Sequence, residues 1–273
     1  MKKDLLAIKD FLDESYLKYN NNLFIESDPI CIPRKFSKKE DIEIAGFLSA
    51  TIAWGNRKSI ISNGEKLMKF MDNAPYDFIL NHNKKELKPF EKFVHRTFNS
   101  KDILFFIKSL QNIYKNYHGL ENSFGGVREI FNGCMKNRLI HFRTLFLETK
   151  HLPRSEKHIS NPIQKSSAKR LCMYLRWMVR QDKKGVDFGI WKSISSQDLC
   201  LPLDVHTGNV SRVLGLLKRK QNDWQAVEEI TNVLKLFDAK DPIKYDFALF
   251  GLGVDGAMKE NFKNKNLIKL INV

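Results

Sequence analysis

A chain of 273 residues with 42% hydrophobic and 11% aromatic content carries enough apolar surface for a substantial core, which excludes a disordered tail or linker. Its 46 Lys and Arg against 31 Asp and Glu leave a net charge of +15, which points to a polyanionic partner, nucleic acid first. The 4 cysteines (Cys31, Cys134, Cys172, Cys200) form no C-x-x-C pair, so no zinc site, iron-sulfur cluster or other cofactor is expected.

Apolar residues recur at three and four along most of the chain, which predicts an all-α protein. Leu5, Ile8, Phe11, Leu12 and Tyr16 mark an N-terminal helix over about 3–20, without the unbroken apolar run of a signal peptide. No later stretch is apolar enough to span a bilayer, so no membrane contact and a cytoplasmic location are expected. A Pro-containing connector runs from Ser27 to Phe36, and Ser37 with Glu40 reads as a capping box for the next helix. Residues 41–53 are apolar on almost every face and predict a buried central helix. Trp54-Gly55-Asn56-Arg57 then forms a polar elbow, with Asn56 placed to cap the helix that carries Ile60, Leu67 and Met71. Packing helices are predicted over Asp102–Tyr117 and Val127–Phe146, the clearest break over 148–164, and a further helix over Ser166–Arg180. Asp204 is suited to cap a helix from Val205 to Leu214 that stops at Gly215. Asn222 with Gln225 suggests another capping box, and Asp241-Pro242 a cap followed by proline at the first helical position.

Read locally, Asp204 is a helix cap, and it makes a poor metal pair with His206 because residues two apart do not share a helix face. Lys169 falls in the first turn of its predicted helix, beside Arg170, where the positive end of the dipole and a neighbouring cation both disfavour a further ammonium charge. That environment favours a nucleophilic amine, and Lys165 competes for the role. Trp54 reads equally as a core aromatic. His95-Arg96 reads as a loop anchor, and Arg176, Trp177 and Arg180 either pack the core or line a pocket.

Pro202-Leu203-Asp204-Val205-His206, followed by Val210 and Leu214-Gly215-Leu216, resembles the aspartate-bearing helix start of the endonuclease III and 8-oxoguanine glycosylase superfamily. Phe47-Leu48-Ser49-Ala50-Thr51-Ile52 resembles an early helix of that superfamily, and Trp224–Glu229 and Tyr245–Gly251 resemble its later helices, in the expected order. His95-Arg96-Thr97-Phe98, Lys169–Arg180 and Leu203–Asn209 are more closely similar to strings of a bacterial family designated only as a domain of unknown function. Two features depart from the superfamily pattern. Ser160-Asn161-Pro162-Ile163-Gln164-Lys165 stands where a G-x-G-x-K hairpin is usual, and the cluster cysteines are absent.

The resemblance implies a helix-hairpin-helix DNA glycosylase fold, a single unit over 1–273 with two helical lobes flanking a cleft. One lobe covers about 38–150; the other covers about 160–256 and takes in the N-terminal helix 3–20. It further implies a monomer that removes a damaged base from double-stranded DNA near the nucleoid, with 8-oxoguanine as the first expectation from the lysine-to-aspartate spacing. Lys169 would attack the sugar and Asp204 would stabilise the cationic sugar, while Trp54, Asn56, Arg57, His206, Asn209, Arg176 and Trp177 would contact DNA or base. The alternatives are a catalytically silent DNA-structure binder of the same fold and a scaffold whose charge serves solubility alone.

Overall fold

The computed structural model describes residues 3–21, 25–26, 28–125 and 133–255. Ser27, the first turns of the helix expected from Val127, and the basic run at the C-terminus lie outside them. The fold is mostly helical, with 65% helix and 2% strand.

Helix α1 (Lys3–Tyr19) is followed by two 3-10 turns, Pro29–Cys31 and Pro33–Lys35, each opened by its proline. Next come α2 (Lys39–Thr51), α3 (Arg57–Phe70) and α4 (Pro75–Asn81). The strands Val94–His95 (β1) and Phe98–Asn99 (β2) form a short antiparallel hairpin in register Val94 to Asn99, with Arg96 in the left-handed region at its tip. They introduce α5 (Ser100–Asn116), α6 (Leu120–Gly125) and α7 (Met135–Leu147). The last set is α8 (Lys169–Val179), α9 (Val205–Val213), α10 (Trp224–Phe237) and α11 (Tyr245–Val254).

Helix α2 lies at the centre because its sequence offers no polar face, and every residue from Ile42 to Thr51 is buried. Phe47 is the hub: its ring lies 6.0 Å from Phe106, 5.6 Å from Phe142, 5.4 Å from Phe146 and 5.5 Å from Tyr174. Each ring buried in this way contributes roughly 1.5–3 kcal/mol, and the edge-on pairs add somewhat more. Gly46 lets α8 approach closely, since a Cβ there would stand 3.0 Å from Met178 Cε. Tyr174 ties the two helices by donating to the Glu43 carbonyl at 3.1 Å. On the other side of α8, α1 and α9 both pack on α11. The N-terminus of α8 therefore meets the α2–α3 elbow on one side and the start of α9 on the other.

Several caps differ from the sequence expectation. Helix α2 begins at Lys39 with Lys38 in the cap position and no side-chain cap, so Ser37 and Glu40 are out of register for a capping box. Asp223, one residue after Asn222, caps α10 by accepting from Ala226 N at 3.1 Å, because Asn222 is engaged elsewhere. Pro242 opens a 3-10 turn as expected, but the Asp241 carboxylate turns to Arg180 instead of capping. Asn56 caps α3 through Ser59 N at 3.2 Å, and the Asp204 cap and the stop at Gly215 (φ 71°) form as the sequence predicts. Among the described residues no helix is long and apolar enough to cross a membrane.

Candidate active site

The chain enters α8 through an irregular turn. Asn161 caps the 3-10 turn Pro162–Gln164 by accepting from Ile163 N at 3.0 Å, after which Lys165 (φ 65°) and Ala168 (φ 49°) both adopt left-handed backbone. Neither is glycine, so each costs on the order of 1 kcal/mol. The turn is held by its neighbours: Trp224 N donates to the Lys165 carbonyl at 3.3 Å, Ser166 pairs with Asp223, and Ser166 Oγ accepts from Ala168 N at 3.2 Å. Lys169 is thereby the first residue of α8, three residues later than the sequence predicts, and its side chain lies along a cleft of about 790 Å³. Lys165 is exposed and does not line that cleft.

Asp204 reaches the same cleft from the start of α9. Its Oδ1 accepts from Thr207 N at 3.0 Å, and Thr207 Oγ1 accepts in return from Asp204 N at 2.9 Å. With Oδ1 committed to the cap, Oδ2 stands 3.8 Å from Lys169 Nζ, within ion-pair range but beyond hydrogen-bond range. The two side chains retain 26% and 21% exposure, so a ligand entering the cleft meets both. Asn222 fixes the backbone behind this carboxylate by donating to the Asp204 carbonyl at 2.9 Å. Asn222 is itself held by Arg212 Nη2 at 2.5 Å, and Arg212 Nε donates to the Arg219 carbonyl at 2.8 Å. Gly208 leaves room for this chain, since a Cβ there would stand 2.7 Å from Asn222 Oδ1.

The opposite wall is the α2–α3 elbow. Half-buried Trp54 lines the cleft with the Arg170 guanidinium 4.7 Å from its ring, the His158 ring stacked at 6.0 Å and the His95 ring edge-on at 5.0 Å. His95 Nε2 donates to the Trp54 carbonyl at 3.1 Å and Nδ1 accepts from Asn63 at 3.1 Å, while burial keeps this imidazole below its usual pKa. Arg170 therefore points away from Lys169 to the elbow, where it also donates to the Thr51 carbonyl, and burial lowers its guanidinium to about 10. Arg57 and His206 line the cleft beside Phe250, at 5.6 Å and 6.2 Å from its ring.

The remaining expected residues do not join them. Asn56 and Asn209 are exposed and line neither the cleft nor the small pouch that opens from it near Lys169. Arg176 lies beneath, on the wall of that pouch of about 30 Å³, buried between Asp187 (3.2 Å) and Asp246. Trp177 points the other way on α8 and is fully buried in the core, so an expected contact with DNA or base is replaced by packing.

Two carboxyls absent from the sequence expectation belong to this region. Asp28 lines both cavities, and burial pushes its carboxyl above the usual range against the pull of Arg176, Arg57 and Lys169. Asp246 lines the pouch, and burial with the nearby Asp204 charge raises it to about 6 in spite of Arg176. A charged residue inside the apolar run Tyr245–Phe250 was the available signal for Asp246; Asp28 reads only as a turn residue before proline. Among the described residues no group of three or more His, Cys, Asp or Glu is placed to hold a metal ion.

Fold and site together define a mostly helical protein with a lysine–aspartate pair on two facing helix starts. Residues 28–255 match the family described as "Protein of unknown function (DUF2400)", and the chain belongs to that family. No curated protein and no solved structure matches it.

Proposed function

We propose that this chain is a DNA base-excision glycosylase with an associated lyase step, built as a two-lobed helix-hairpin-helix unit and acting on a damaged base in duplex DNA, 8-oxoguanine first. The observation that carries the reading is the Lys169 amine 3.8 Å from the Asp204 carboxylate at the wall of an open cleft. Departure of a base leaves positive charge on the sugar, which a carboxylate offsets, and a primary amine is the side chain able to form an imine with C1′. In this reading Asp204 accepts the proton that the attacking amine gives up. The surroundings fit an extruded nucleoside: Trp54 and Phe250 give the cleft aromatic walls, while Arg57 and His206 suit a phosphate backbone. The net charge of +15 supports the same class of partner. The turn at Lys165 and Ala168 would stand in for the missing glycine hairpin, two non-glycine residues taking the left-handed backbone that glycine adopts most readily.

The test is borohydride trapping on duplexes carrying 8-oxoguanine, hypoxanthine, uracil or an abasic site. The parent and Lys165→Ala are expected to give a trapped covalent species. Lys169→Ala should give none while its melting temperature stays within about 2 °C, because a partly exposed ion pair contributes only ~0–1 kcal/mol. Absence of any trapped species from the parent sinks the lyase step. Salt-sensitive duplex binding without trapping or base release would turn the reading to a silent DNA-structure binder.

A further inference from the structure

Asp28 combines burial with unused hydrogen-bonding capacity. It is 7% exposed, and among the described residues its carboxyl makes a single hydrogen bond, Oδ1 accepting from Ile30 N at 3.1 Å, with no ion pair. Its Oδ2 accepts from no described residue and is not sealed in the core, so this oxygen opens on the cavity that Asp28 lines. The space it faces is shared with Lys169 and Asp204, since all three line both the cleft and the pouch. Arg57 from α3 and Arg176 and Lys169 from α8 are the cations around it, and Asp204 and Asp246 are the acids of the same pouch.

Resting on the glycosylase reading above, we propose that Asp28 is a third catalytic residue, the acid that protonates the base as it leaves. As the C1′–N bond breaks, its electron pair passes to the base, which takes the proton of the Asp28 carboxyl and departs neutral. The Lys169 nitrogen bonds to C1′ and releases a proton to Asp204, so one carboxyl is deprotonated as the other is protonated. Burial favours the protonated Asp28 at the start, and Arg57 and Arg176 are near to stabilise the carboxylate at the end. The division of labour is then one acid for the leaving group and one carboxylate for the sugar and nucleophile.

Base departure needs this acid, and imine formation at a preformed abasic site does not. Asp28→Asn keeps the shape and removes the proton. On the 8-oxoguanine, hypoxanthine and uracil duplexes, release of free base should fall on the order of 100-fold or more from the parental rate on whichever is cleaved. Trapping on the abasic duplex should fall less than about threefold, which also shows that the variant is folded. Base release at the parental rate in Asp28→Asn overturns the assignment, as does an equal loss of both steps. A parent that releases base while Asp28→Asn matches it overturns the assignment alone. A parent that traps at abasic sites but releases no base overturns the base-excision reading with it and leaves only the lyase step, and a parent that does neither removes that step too.

Discussion

At the C-terminal cap of α8, Arg180 donates to Asp241 through Nε at 3.0 Å, to Asp187 through Nη1 at 3.1 Å and to Tyr16 through Nη2 at 2.9 Å, with Asp182 2.8 Å from Nη1. Lys169, at the other end of the same helix, has one carboxylate oxygen at 3.8 Å. The arginine is fully buried with its donors filled, and although burial alone would lower its pKa, Asp187 and Asp241 hold it above the ordinary range. The lysine is a quarter exposed, on a cleft wall, with donors to spare. One helix thus carries a saturated charge that joins α1 and the Asp241 turn to the core, and an unsaturated one that remains available to a ligand. Saturation, more than charge or burial taken singly, separates scaffold from candidate chemistry here.

The contrast breaks most visibly at Arg180. Arg180→Ala strips Asp241 and Asp182 of their cation and leaves Asp187 with Arg176 alone, in or near the core, and should cost about 3–5 kcal/mol in urea denaturation. Trapping per folded molecule should stay at the parental level. A cost under about 1 kcal/mol would show that the network is solvated and that the difference between the two ends of α8 is not one of saturation.

Acid sharpens the comparison next, because the two ends respond in different windows. Burial pushes Asp182 up, but Arg180, Asn20 and Tyr16 more than offset this and hold it at about 2. Its folded pKa lies below the unfolded value near 3.9, so its stabilisation is complete above pH ~4 and is lost as the pH falls through about 2. His158, behind Trp54, is held at about 4 by burial, against the pull of Asp102. For this imidazole the unfolded chain binds the proton first, so stability is full above pH ~6.5 and declines as the pH falls toward 4, by up to about 3 kcal/mol. His158→Gln should flatten the stability curve between pH 6.5 and 4, read by urea denaturation at each pH. An unchanged slope would place the acid sensitivity elsewhere.

The difference between the two ends was only partly legible in the sequence. The Asp204 cap, the buried α2 and the Lys169 helix follow from local rules, because caps and apolar periodicity are set within a few residues. Saturation is a tertiary property. Nothing near Arg180 in sequence announces Tyr16 or Asp241, and nothing near Asp28 announces a cavity shared with Lys169. The failures have the same origin: Asn222 would have capped α10 on local grounds, but Asp204 and Arg212 use both ends of its amide, and the cap passes to Asp223. Trp177 and Arg176 were indistinguishable as pocket or core until the azimuth of α8 was set by Gly46 and Tyr174 against α2.

Asn222 offers the finest test of the unsaturated end, because it holds the Asp204 backbone and, among the described residues, makes no hydrogen bond to the lysine. Its amide donates to the carbonyl that also accepts the first bond of α9 from Gly208 N at 3.0 Å, so it sets where the helix start, and hence Oδ2, stands. Asn222→Asp removes the donor while keeping the oxygen that Arg212 holds. The stability cost should be about 1 kcal/mol, typical of one hydrogen bond. The single-turnover trapping rate should fall roughly 10-fold with duplex affinity unchanged, since a sub-ångström shift of a catalytic group affects the reaction more than binding. Gly208→Ala, which presses on the same amide from the other side at 2.7 Å, should reproduce that split. A loss confined to affinity in both variants would mean that Asn222 serves the nucleic-acid surface, and that the position of Asp204 is set by the Thr207 capping box alone.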